Sequence, residues 1–127
     1  MIKQVINVNN KWKVIVYYDI DYNLFPYINQ ELHKANIKQS AIEDIYSKMY
    51  YKKAKAFTIS NLEAKISIVG FNIHETRSDY INSIAHEAEH VKQDMLDYYG
   101  VKDTDEPPAY TIGFLIMKML QVFDNLH

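Results

Sequence analysis

The sequence contains no cysteine, and it has only three glycines and three prolines among its 127 residues. Without cysteine there can be no disulfide, no thiolate nucleophile and no zinc or iron–sulfur site built on cysteine ligands. A bound transition metal would have to be held by His, Asp and Glu side chains. The scarcity of glycine and proline also leaves no linker or low-complexity stretch, so we expect one continuous domain over residues 1–127.

The chain also lacks an excess of charge of either sign. Fourteen Lys and Arg residues against sixteen Asp and Glu residues give a net charge of -2, which argues against nucleic acid or a membrane surface as the main partner. There is no long apolar run, and residues 1–13 mix Lys, Gln and Asn with Val and Ile, so neither a spanning helix nor a signal peptide is predicted. We therefore expect a cytoplasmic protein.

Two segments have the pattern of β-hairpins. In both, β-branched and aromatic residues predict strands, and Asn9-Asn10 and Asn61-Leu62-Glu63 provide the turns between them. The predicted strands are residues 4–8, 12–19, 55–60 and 65–71.

Helical signals fill the rest of the chain. Pro26 can begin the first helix, and Ser40 with Glu43 has the spacing of a capping box for the second. Thr76 or Ser78 can cap the third, and Gly100 ends it. The predicted helices are residues 26–35, a helix beginning at residue 40 with an apolar stripe of Ile42, Ile45, Tyr46, Met49 and Tyr50, residues 78–99, and a largely buried last helix from residue 107 or 108 to about 123. The order ββααββαα predicts an α+β fold.

The third predicted helix contains an HExxH pattern, His86-Glu87-Ala88-Glu89-His90. Residues four apart lie on one face of a helix, so both imidazoles can reach a single metal ion while Glu87 stands beside it. The apolar residues of this helix share the opposite face: Ile81, Ile84, Ala88, Val91 and Met95. We therefore predict that the two histidines project away from the core as metal ligands. The alternative is a solvated polar face that carries two histidines by chance.

A zinc site usually has three protein ligands and one open position. Glu106, at the start of the last predicted helix, is the best candidate for the third ligand, and Asp103 and Asp105 are its competitors. Alternatively, Glu106 only stabilises the positive end of the helix dipole.

This arrangement resembles the zincin metallopeptidases, in the subgroup where a glutamate from a second helix completes HExxH. The stretch from Ser60 to Phe114, nearly half of the chain, is also similar to small HExxH proteins of tailed phages and of prophages in gut bacteria. The matching residues are Ser60-Asn61, the segment from Ile66 to Gly70, the segment from Asn82 to Glu87, His90, Glu106, Ala109-Tyr110 and Gly113.

The resemblance implies a zincin-like fold and zinc-dependent hydrolysis of peptide or other amide bonds, with a peptide or protein as partner. The two histidines and Glu106 would hold the metal, and Glu87 would be the general base. Tyr110 is the predicted donor to the oxyanion, with His74 as second choice. In zincins the strand nearest the cleft binds extended peptide by β-addition, and residues 65–71 are its counterpart by order along the chain.

Two residues depart from the usual zincin helix. Glu89 and Lys92 place charge where that helix has uncharged side chains, and Glu89 is a candidate partner of a metal ligand. Iron(II) or manganese(II) can occupy similar ligands, although zinc suits them best. Two other function classes stay open: an inactive zincin-like metal-binding protein that docks a phage or host partner, and a metal-free helical interaction module.

Overall fold

The chain forms two strands, two helices, two strands and two helices, which confirms the predicted α+β class and the order ββααββαα. The computed structural model describes residues 2–51, 53–100 and 106–126, with the side chains of Tyr22 and of residues 106–110 outside the description. The elements are β1 (Ile2–Val8), β2 (Trp12–Ile20), a 3-10 turn (Tyr22–Leu24), α1 (Phe25–Lys34), α2 (Gln39–Tyr50), β3 (Ala56–Asn61), β4 (Ile66–Asn72), α3 (Arg77–Tyr99) and α4 (Glu106–Leu126).

The four strands form one mixed sheet in the order β1-β2-β4-β3. The two hairpins, β1 with β2 and β3 with β4, are antiparallel, as predicted from their turns. They join through β2 and β4, which run parallel. Among the described residues, β3 is therefore an edge strand, whereas β4 is hydrogen-bonded on both sides.

Helices cover both faces of the sheet, because successive side chains of the central strands point to opposite sides. Val14, Val16 and Tyr18 of β2 pack with α3 and α4 in one core. Ile15 and Tyr17 of the same strand pack with α1 and α2 in a second core. The sheet therefore lies between two helical layers.

The local turn and cap signals are mostly confirmed. Asn9 and Asn10 both have positive φ, as the tight turn requires, and Gly100 ends α3 in the left-handed conformation. The Thr76 side chain caps α3 by accepting a hydrogen bond from the Asp79 amide at 3.1 Å.

The predicted capping box at Ser40 is wrong. The helix begins one residue earlier, at Gln39, after Lys38, which makes no side-chain cap. The Lys38 carbonyl accepts hydrogen bonds from the amides of Ala41 and Ile42 at 3.0 and 3.1 Å. Ser40 therefore lies inside the first turn, where its hydroxyl cannot act as the cap.

Across the described residues, none of the helices combines the length and the apolar character needed to cross a membrane.

Candidate metal centre and cleft

The HExxH pattern lies in the middle of α3, the longest helix of the described chain. Its histidines are exposed, while Ile84, Ala88 and Val91 are fully buried on the opposite side. The predicted division of this helix into a core face and a histidine face is confirmed.

The two imidazoles point at each other across one turn of α3. Their Nε2 atoms are 3.0 Å apart, and the rings meet edge to face with centroids 4.6 Å apart. Two nitrogens bound to one tetrahedral zinc at the usual bond length of about 2.0–2.1 Å lie about 3.3 Å apart. The donor set of His86 and His90 therefore fits one metal ion with a shift of a few tenths of an ångström.

Glu87 lies beside the histidines and is buried, with only 5% of its surface exposed. The Thr58 hydroxyl on β3 donates a hydrogen bond of 2.9 Å to Glu87 Oε1. A buried carboxylate oxygen needs such a donor in place of the water that it has lost. This hydrogen bond connects Glu87, the glutamate of the HExxH pattern, directly to the edge strand of the sheet.

A cleft of about 500 Å³ opens in front of these residues. Its walls are α2 on one side and α3 on the other, and β3 forms its floor. The side chains that bring chemistry to it are Asn82, Ser83, His86, Glu87 and His90 from α3, Thr58 from β3, and Asp44 and Lys48 from α2.

The strand along this cleft is β3, and the prediction that residues 65–71 take this position is wrong. The order β1-β2-β4-β3 places β4 inside the sheet, so its backbone groups already pair with β2 and β3. Order along the chain could not reveal this, because β3 and β4 form a hairpin in which either strand could have been the outer one.

The free edge of β3 presents a defined set of backbone groups. The Asn72 amide donates to the Lys55 carbonyl at 2.9 Å, so Lys55 and Asn72 form a hydrogen-bonded pair. Such pairs alternate along an antiparallel ladder. The next hydrogen-bonded pairs start at Phe57 and Ile59 of β3. The residues that alternate with them, Ala56, Thr58 and Ser60, therefore direct their amides and carbonyls away from β4, and Ala56 and Thr58 line the cleft.

The predicted third metal ligand, Glu106, and its two competitors lie outside what the structure describes. Asp103, Asp105 and the side chains of Glu106 and Tyr110 are not described, so their predicted roles stay predictions. Within the described part of the chain, no group of three or more His, Asp or Glu side chains surrounds one point. The Arg77 guanidinium at the start of α3 pairs with Asp124 near the end of α4 at 3.2 Å. The two helices thus run antiparallel, and α4 begins at the end of the pair where α3 finishes.

Glu89 has its own partners on α3. Lys92 Nζ lies 2.8 Å from Glu89 Oε1, and Gln93 donates to the same oxygen at 3.2 Å. Lys92 is only 8% exposed, so it needs a counter-charge. The two charges that depart from the usual zincin helix therefore neutralise each other.

His74 is held by two hydrogen bonds. Its Nδ1 lies 2.6 Å from the Asn72 carbonyl and its Nε2 lies 2.7 Å from the Ser83 hydroxyl. Because a carbonyl only accepts, Nδ1 carries the proton and Nε2 accepts from Ser83 in the neutral ring. Burial lowers the pKa of His74, which favours that neutral form. Ser83, rather than His74, lines the cleft.

Sequence reasoning also missed a polar chain beneath the histidine face of α3. Trp12 Nε1 donates to Ser67 at 2.9 Å, Ser67 and Ser60 share a hydrogen bond of 2.7 Å, and Ser60 donates to Asp94. Burial raises the pKa of Asp94. The position of Asp94, four residues after His90, was the one signal that could have identified it, because it shares the histidine face.

No protein-family model, no curated protein and no solved structure matches this chain.

Proposed function

We propose that this protein is a zincin-like, zinc-dependent metallopeptidase that cleaves a peptide bound along the free edge of β3. The observation that carries the proposal is the convergence of three elements at the cleft. The His86 and His90 Nε2 atoms stand 3.0 Å apart, buried Glu87 lines the same cleft, and β3, whose outer side pairs with no other described strand, runs along it.

Each protein group has a distinct role in this proposal. His86 and His90 would hold the metal, together with Glu106 or with one of the two competing aspartates, Asp103 and Asp105. A zinc ion supplies Lewis acidity, which polarises a carbonyl group and lowers the pKa of water towards 7.

Glu87 is the proposed general base and acid. Thr58 donates to Oε1, so Oε2 is the oxygen that accepts the proton of the attacking water and then delivers it to the leaving amine. The hydrogen bond from Thr58 also fixes the carboxylate in one orientation. His86 and His90 line the same cleft as this carboxylate.

The edge strand is the proposed substrate platform. The amides and carbonyls of Ala56, Thr58 and Ser60 can pair with an extended peptide as a fifth strand, which aligns its backbone without regard to sequence. The Thr58 backbone would pair with the peptide, and its hydroxyl contacts Glu87. In this proposal the peptide bond opposite Thr58 therefore lies next to the base.

The test is cleavage of a proteome-derived peptide mixture by zinc-loaded protein, followed by mass spectrometry. We expect parent protein to cut and Glu87→Gln to lose at least about 100-fold in rate while it keeps its zinc. Glu63→Gln, an exposed carboxylate in the β3–β4 turn, is the matched control and should cut normally.

The outcomes separate the two metal-containing function classes. Zinc binding without turnover in the parent would replace the peptidase with a metal-binding docking protein. Equal turnover in parent and Glu87→Gln would remove Glu87 as the base.

A further inference from the structure

The cleft beside His86 and His90, which we call the metal cleft, adjoins a second cavity of about 640 Å³ whose lining is mainly apolar. Five aromatic residues line it, Phe25 from α1, Tyr46 and Tyr50 from α2, Tyr51 and Phe57, together with the charged residues Asp21, Lys53 and Lys55. We call it the tyrosine pocket. Ala54, Lys55 and Phe57 line both this pocket and the metal cleft, so the two cavities share a wall.

The aromatic rings of the pocket pack against one another but stay partly exposed to solvent. Tyr46 packs on Phe25 with centroids 4.7 Å apart and stacks on Tyr50 at 5.5 Å. Tyr46 and Tyr50 nevertheless keep 37% and 43% of their surface exposed. The apolar stripe predicted for α2 is thus buried at Ile42 and Ile45, and its last part forms the wall of an open pocket.

The geometry of β3 determines what can reach this pocket. Residues directly opposite each other on adjacent strands point to the same face of a sheet. A peptide residue opposite Thr58 would point to the α3 face, where Glu87 and the histidines lie. A residue opposite Phe57 or Lys55 would point to the other face, where the tyrosine pocket lies.

We propose that the tyrosine pocket is the specificity pocket of this protein and takes one aromatic or large aliphatic side chain of the bound peptide. That side chain belongs to the residue one or three positions from the residue opposite Thr58. The proposal rests on the proposed function for the orientation of the peptide. A large apolar side chain would gain affinity by burying its surface against the stacked rings of the pocket. An alanine side chain is too small to bury a comparable surface there.

Binding is measured without turnover, on zinc-loaded Glu87→Gln protein. The probes are fluorescently labelled polyalanine-based peptides, each with two flanking lysines for solubility and with Phe, Leu or Ala at one scanned position. Fluorescence anisotropy then gives an affinity for each position. We expect Phe or Leu at one position, or at two positions two residues apart, to bind about 10- to 100-fold more tightly than Ala.

Three variants in the same background identify the pocket. Tyr50→Ala should remove most of the preference for Phe over Ala, whereas Tyr50→Phe should retain it, because the ring and not the hydroxyl forms the wall. Tyr27→Ala removes an exposed tyrosine of α1 that does not line the pocket and should leave the preference unchanged.

The outcomes distinguish this proposal from the proposed function. A preference that Tyr50→Ala removes supports the pocket even if the parent protein never cleaves a peptide. Equal affinity for Phe and Ala at every position, or a preference that survives Tyr50→Ala, overturns the pocket even if the parent protein is an active peptidase.

Discussion

The contact between Thr58 and Glu87 predicts a measurable loss of stability when its donor is removed. Thr58→Val keeps the shape of the side chain but leaves Glu87, which is 5% exposed, without the hydroxyl that donates to it at 2.9 Å. A hydrogen bond to a charged group contributes about 1.5–3 kcal/mol. For a domain of this length, unfolding entropy converts that loss into a fall in Tm of about 6–11 °C.

The assays are urea denaturation for the free energy of unfolding and thermal denaturation for Tm, both followed by circular dichroism in the presence of a chelator, so that metal binding does not add to stability. Thr58→Ser keeps the hydroxyl and serves as the control, with most of the stability retained.

A double-mutant cycle with Glu87→Gln shows whether the loss belongs to this contact. A hydrogen bond to a neutral amide contributes about 0.5–1.5 kcal/mol, so Thr58→Val should cost about 1 kcal/mol less in that background. Two results would refute the contact, and with it the attachment of the HExxH helix to the edge strand. One is a Thr58→Val variant as stable as the parent, and the other is a loss of stability from Thr58→Val that is equal in both backgrounds.

Two further predictions concern backbone space and pH. A Cβ on Gly70 would clash with the Phe57 ring, so Gly70→Ala should destabilise by about 1–3 kcal/mol in urea denaturation. A Cβ on Gly113 in α4 would meet no described atom within 4 Å, so Gly113→Ala should stabilise by about 0.5–1 kcal/mol, and equal effects at the two sites would contradict the packing. Because burial lowers the folded-state pKa of His74, its contribution to stability is complete above the unfolded pKa of about 6.5 and is lost as pH falls through that value towards the folded one. His74→Gln should therefore lose less stability than the parent between pH 7 and 5, and parallel stability curves would exclude His74 as the titrating group.

The histidine face of α3 was predictable because every signal for it is local. Thr76, Gly100 and a helical repeat of apolar residues fix the helix and its rotation, and the exposure of His86 and His90 follows from them. The same reasoning failed at Ser40. The Lys38 carbonyl already accepts hydrogen bonds from the amides of Ala41 and Ile42, so the helix begins before Ser40 and the cap sequence lies inside its first turn.

The surroundings of the histidines were not predictable, because they depend on contacts between residues far apart in sequence. Thr58 reaches Glu87 across 29 residues, and Ser60 reaches Asp94 across 34. Both contacts require β3 to be the outer strand, which is decided by the parallel pairing of β2 with β4. No pattern within either hairpin determines which of its strands makes that pairing.

The central claim is that His86 and His90 hold one metal ion, and the most direct measurement is elemental analysis of untagged protein after incubation with zinc and dialysis. We predict about one zinc per chain in the parent and in His33→Ala, a histidine of α1 outside the cleft, and a loss of zinc in His90→Ala. Glu106→Ala, compared with Asp103→Ala and Asp105→Ala, then identifies the third ligand as the variant that also loses zinc. A parent protein that retains no zinc, or a His90→Ala variant that retains as much as the parent, would contradict the account.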